Sequence, residues 1–138
     1  MSWRRSLVKL AGFQVEELRK RLAEIMDRKA DAEMRLAVLH AEAQAESLRA
    51  AADAEAGWYR MGYLEGWRVR RDALAAEIAE IAAEEAGARD ALADAFAEQK
   101  KYEQVEESHL EQLRLAAQKQ ENAAYDEVAS RRAAAAGR

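Results

Sequence analysis

From Val8 to Ala43 the chain repeats one spacing. Val8, Ala11, Val15, Leu18, Leu22, Ile25, Lys29, Ala32, Leu36, Leu39 and Ala43 succeed one another at intervals of three and four. Ten of these eleven positions are apolar. A three–four alternation sustained over this length lays one stripe along a helix and requires a second helix to cover it. Lys29 is the exception, and its aliphatic stem can lie on the stripe while the ammonium reaches water. Outside the stripe, Glu16–Lys20, Glu17–Arg21 and Glu24–Arg28 stand four apart in the favoured order. Each such pair adds about 0.2–0.5 kcal/mol to a helix.

Nothing in the composition opposes this reading. The 138 residues include no Pro and no Thr, 34 Ala, and only nine Val plus Ile. That mixture favours helix and offers little to a sheet. The larger apolar residues are too few for a thick core, so a thin seam between helices is what the chain can bury. The absence of Cys excludes a disulfide framework, a thiol nucleophile and the common structural zinc sites. The opening Met1-Ser2-Trp3-Arg4-Arg5 has no long apolar run behind it, which argues against a signal peptide. No window reaches the ~18 apolar residues of a membrane span. A net charge of −4 weighs against nucleic acid as the main partner.

One stretch breaks the pattern. Residues 49–57 carry no large apolar side chain, and Gly57, Gly62 and Gly66 come next. The turn is expected at about 50–57, with Asp53 as N-cap of the second helix and Glu55 in its first turn. A second frame then runs through Trp67, Arg71, Leu74, Ile78, Ile81, Glu85, Ala88, Leu92, Ala95, Gln99, Tyr102, Glu106, His109 and Leu113. From about Val105 the apolar set drifts to Leu110, Leu113, Ala117, Ala124 and Val128, as on a helix no longer held to a seven-residue repeat.

The expected fold is therefore all-α. It is a single antiparallel coiled-coil hairpin over 1–138, with helix 1 at about 2–50 and helix 2 at about 57–135. At 1.5 Å per residue the two helices measure about 75 and 120 Å. Folding about residue 53 sets Leu39 against Trp67, Ile25 against Ile81 and Leu18 against Ala88. Residues beyond about 105 are left as a C-terminal helical overhang, free to self-associate. A three-helix bundle is the alternative, with a second turn near Gly87 or Ser108, where no turn residues flank the site. The two halves also differ in charge. Residues 1–50 carry ten Lys+Arg and eight Asp+Glu, whereas 51–138 carry twelve and eighteen, so the helices are biased to attract.

No constellation points to an enzyme, a cofactor, a metal or a small-molecule ligand. Glu84-Glu85 and Glu106-Glu107 are adjacent on a helix and point ~100° apart, with no pocket to shield them. Glu106 and His109 form one i,i+3 pair without further ligands, and His40 stands alone. The basic run Arg4, Arg5, Lys9, Arg19, Lys20 and Arg21 is read as a solvated face, with docking on an acidic protein surface as the alternative. The informative cluster is aromatic. Trp58, Tyr59, Tyr63 and Trp67, with Met61 and Leu64, fall just past the turn. They either clamp the end of the hairpin or anchor a partner, and they cannot all enter one narrow seam. Gly62 and Gly66, four apart, leave a strip on which another backbone could rest.

Two groups of residues resemble one family. Ser6-Leu-Val-Lys-Leu-Ala11 precedes Val15-Glu16-Glu17-Leu18, Leu22-Ala23-Glu24, Ala32-Glu33 and Leu36. Near the other end stand Asn122, Tyr125-Asp126-Glu127-Val128-Ala129 and Arg131. This ordering is similar to the FliJ family of bacterial flagellar export proteins, which are small antiparallel coiled coils resembling the central stalk subunit of rotary ATPases. The resemblance implies a cytoplasmic, non-enzymatic component of the flagellar type III export apparatus, peripheral to the inner membrane. Its implied partners are an export ATPase ring, a membrane export gate protein and export chaperones. The gate patch would comprise Leu39, Tyr63, Trp67 and Leu74. The ATPase end would use the C-terminal motif Tyr125, Asp126, Glu127 and Arg131. Aromatic positions of the family on helix 1 fall on Glu42 and Glu46 here. A generic coiled-coil chaperone or adaptor for partner helices is the alternative function.

Overall fold

The computed structural model describes residues 3–52 and 56–137. They form two helices, α1 (Trp3–Ala52) and α2 (Ala56–Ala136), and the fold is an all-α helical hairpin. The predicted turn narrows accordingly, since residues 50–52 and 56–57 are helical. Asp53 and Glu55, the expected cap and first-turn acid, lie outside the described residues. α2 passes through Gly87 and Ser108 without a break, which removes the three-helix alternative.

The chain divides into two compact units. In Val15–Asp94 the helices run antiparallel around one apolar cluster. Leu22, Ile25, Ala32, Ile81 and Ala88 are buried together, with Ile78 and Leu92 packed on them. The small side chains set the character of this seam, because Ala32 is fully buried and, among the described residues, no large side chain is. Alanine lets two helices approach closely, but it contributes little apolar area, so length must supply the stability. All eleven positions of the first frame are buried or half-buried, Lys29 included. Its ammonium lies 3.3 Å from Glu85 Oε2, so one polar layer crosses the seam.

In the other unit, residues 3–14 pair with α2 from Ala95 onward. Ala11 and Ala95 are buried, and Val8, Gln99, Tyr102, Glu106 and His109 are half-buried. Gly12 faces Gln99 here, and a methyl group on it would stand in ordinary contact, 3.5 Å from the Gln99 amide nitrogen. Arg5 reaches Glu106 at 4.0 Å, so pairing continues to His109 instead of ending near 105. Leu113, the last position of the second frame, is exposed, as is every described residue after it. The overhang therefore starts at Leu110.

The charge bias is expressed across the seam. Among the described residues, four ion pairs join the helices: Arg5–Glu106, Arg28–Glu84, Lys29–Glu85 and Arg35–Glu77. In each, α1 gives the cation and α2 the carboxylate. The three expected i,i+4 pairs on α1 do not form. Arg19 pairs with Glu16 and Lys20 with Glu17, both three apart. Arg28 turns from Glu24 to Glu84, 2.9 Å away on α2. A carboxylate facing it across the seam is nearer than one a turn away on its own helix.

Candidate functional site

Near the turn, Trp67 is held from three sides. Its indole N–H donates to the Leu39 carbonyl at 2.9 Å. The His40 ring meets it edge-on, with centroids 5.4 Å apart and planes at 63°. The Arg71 guanidinium lies 5.1 Å from the ring centroid. Such an edge contact and a cation over a π face are both attractive. Of the four residues of the predicted gate patch, Leu39 is buried and Tyr63, Trp67 and Leu74 are half-buried. The structure brings Leu39 and Trp67 together. It places Tyr63 about one turn before Trp67 and Leu74 about two turns after it, on the seam side of α2.

What this region offers a partner lies beside the seam. An open groove of ≈ 610 Å³ runs against Trp67, lined also by His40, Ala43, Gln44, Ser47 and Leu48. It is too open to enclose a small ligand and suits a side chain or helix laid along it. Leu48, Tyr59 and Met61 are among the most exposed large apolar side chains. Arg60 donates to Ser47 Oγ at 3.3 Å across the helices. Side chains built on Gly62 or Gly66 would meet nothing within 4 Å, so the strip they leave is open. The Trp58 side chain lies outside the described residues. The sequence did not single out Leu48, nor His40 as a neighbour of Trp67. Their signal was position, one residue after Leu39 for His40 and close to the turn for Leu48.

At the other predicted site, Tyr125, Asp126, Glu127 and Arg131 are all exposed. Arg131 donates to Glu127 Oε1 at 2.8 Å, one turn back. Arg114 donates to both Glu111 oxygens, at 3.0 and 2.7 Å. These bonds hold the Glu111 carboxyl below its ordinary value and raise the Arg114 guanidinium above its own. Leu110, Leu113, Ala117, Ala124 and Val128 stand exposed on this stretch. By helical spacing they extend the stripe that Gln99, Tyr102, Glu106 and His109 bury against α1.

The carboxylates along the seam are taken up by neighbouring cations. Glu84 pairs with Arg28, and Glu85 with Lys29 and Arg89. Arg35 donates to both oxygens of Glu77, at 3.4 and 2.9 Å, and to Asp31 at 3.2 Å. The Arg35 hydrogen bonds hold the Glu77 carboxyl below its ordinary value. Tyr102 donates to Glu98 at 3.0 Å, which raises the phenol. Among the described residues no group of three or more His, Cys, Asp or Glu is arranged to hold a metal ion.

An open groove beside a helical seam and an exposed apolar stripe on α2 are the surface features of this helical-hairpin protein. Comparison with known proteins makes the class specific. The chain is 47% identical over 140 residues to the flagellar FliJ protein of Caulobacter vibrioides strain NA1000 / CB15N. The alignment covers 99% of this chain and 98% of that protein. The flagellar FliJ protein of strain ATCC 19089 / CIP 103742 / CB 15 matches with the same identity and coverage. No family model and no solved structure matches. The chain belongs to the FliJ family of flagellar proteins.

Proposed function

We propose that the chain couples an export ATPase to a membrane export gate in the flagellar type III export apparatus, as a non-enzymatic component at the cytoplasmic side of the inner membrane. On this reading it also assists export chaperones. Kinship with flagellar FliJ proteins supports the assignment to the flagellum. The observation that carries the coupling is the bare stripe Leu110, Leu113, Ala117, Ala124 and Val128. A helix that has lost its own partner but keeps an apolar stripe is suited to receive one from another protein. The ATPase contact falls here, with Tyr125, Asp126, Glu127 and Arg131 at its distal part. The gate contact falls on the Trp67 groove. There Trp67 forms a wall braced by Leu39, with Tyr63 and Leu74 along the same side of α2, and Leu48 and Tyr59 present exposed apolar surface.

Removing Asp126 to Arg138 tests the ATPase contact. Binding or stimulation of the cognate export ATPase should fall while circular dichroism and melting of the hairpin persist. Wild-type stimulation by that truncation would exclude the C-terminal motif from the contact. An adaptor that only captures partner helices is the second reading, and the same bare stripe favours it. It predicts that Leu113→Asp abolishes chaperone binding with no effect on ATPase turnover.

A further inference from the structure

The face of α1 turned away from the seam changes character along the sequence. In about its first three turns it presents Trp3, Leu10 and Phe13 around the small Ser6. The same spacing continued reads Glu17, Arg21, Glu24 and Arg28. Trp3, Leu10 and Phe13 are 61%, 62% and 61% exposed, while Val8 and Ala11 of the same segment turn toward α2. Residues 3–13 are thus apolar on two faces, and the hairpin uses one. A single exposed Leu needs no explanation. Two aromatic rings and a Leu gathered on one short face do.

Charge narrows the occupant. Residues 3–15 carry Arg4, Arg5 and Lys9 and no Asp or Glu. The first turn of α1 has no acidic residue, although the positive end of a helix favours one and disfavours cations. Arg5 is engaged with Glu106. The Arg4 guanidinium lies 4.5 Å from the Trp3 ring centroid, and Lys9 borders the apolar face by helical spacing.

We propose that this face docks on an anionic lipid surface. Trp is favoured at the headgroup level, and Lys and Arg stems can lie along the acyl boundary while their charges meet phosphate. Leu10 and Phe13 would enter the boundary from a helix lying in its plane. Attachment at the surface is the geometry available, since no helix among the described residues is long and apolar enough to cross a membrane. Charge favours lipid over protein: Arg4 and Lys9 flank the face with no acidic residue among 3–15, and a few inserted side chains with nearby cations suffice for reversible membrane binding. Coupling between ATPase and gate does not depend on this contact.

Sedimentation of the full chain with vesicles tests it. Binding is expected to phosphatidylglycerol–phosphatidylethanolamine vesicles and not to phosphatidylcholine alone. It should be lost at about 1 M salt, where the screening length is about 3 Å. Leu10→Asp with Phe13→Asp should lower the partition coefficient at least about tenfold. Both side chains are exposed, so helicity and melting should not change, and Lys9→Glu should weaken binding on its own. No sedimentation with anionic vesicles overturns the proposal. So does equal sedimentation of the double variant, or the same affinity for neutral and anionic lipid.

Discussion

Trp67 shows how one side chain serves the fold and bounds the candidate site. It is half-buried, and its indole N–H is taken by the Leu39 carbonyl. Trp67→Ala should therefore cost about 3 kcal/mol by cavity formation. Trp67→Phe should cost only about 0.5–1.5 kcal/mol for the lost hydrogen bond, and urea denaturation of both variants reads the difference. A loss of partner binding by Trp67→Ala alone is ambiguous for this reason, and Leu48→Asp, on an exposed residue, is the cleaner probe. Gly62 and Gly66 give the opposite sign. Each lies inside α2 with open space where a methyl would go, so Gly62→Ala and Gly66→Ala should each stabilise by about 0.8–1 kcal/mol. Higher melting temperatures with weaker gate binding would identify the strip as a contact surface. Unchanged binding would leave these glycines without an interface role.

At the scale of the helices, the seam was legible because burial tracks spacing. Val15, Leu22, Ile25 and Leu39 are buried where a three–four repeat puts them. Even Arg71, Glu85, Gln99 and Glu106 keep their half-buried places in the second frame, since the backbone fixes a position whatever residue occupies it. The choice of ionic partner was not legible, as Arg28 shows by taking Glu84 in place of Glu24. Spacing within a helix is set by the sequence, but spacing across a seam depends on register. The start of the overhang was legible to within a few residues, since Arg5–Glu106 carries pairing just past 105. That last layer is imperfect, because Glu106 Oε2 is buried without a hydrogen-bond partner. Glu106→Leu should stabilise by about 1–3 kcal/mol, seen as a higher melting temperature. A lower one would mean that Arg5 and Glu106 contribute more than the orphaned oxygen costs.

Arg35–Glu77 ties the helices to pH. The folded state keeps the Glu77 carboxyl ionised to lower pH than the unfolded chain does. Its contribution is complete above the unfolded glutamate value of about 4.3 and is lost as pH falls through the lowered folded value. Urea midpoints should thus decline more steeply below about pH 4.3 for the wild type than for Glu77→Gln. Parallel curves would remove Glu77 from the acid response.

For the whole molecule, α2 has a length covered by α1 and, from Leu110, a length that is exposed. The bias of charge between the two halves became four crossing ion pairs with one polarity, so partner choice within the hairpin is electrostatic as well as apolar. The sequence also signalled which apolar residues would lack an intrachain cover, because the set after Val105 leaves the frame. What covers Leu110 to Val128 is not written in one chain, since a seam position looks the same whether its partner helix lies in the same protein or another. Hydrogen exchange of the chain, alone and with the cognate export ATPase, tests the coupling account most directly. Alone, amides at 15–40 should exchange slowly and those at 110–136 fast. With the ATPase, protection should rise at 110–136 and stay unchanged at 15–40. Complex formation without added protection at 110–136 would contradict the account.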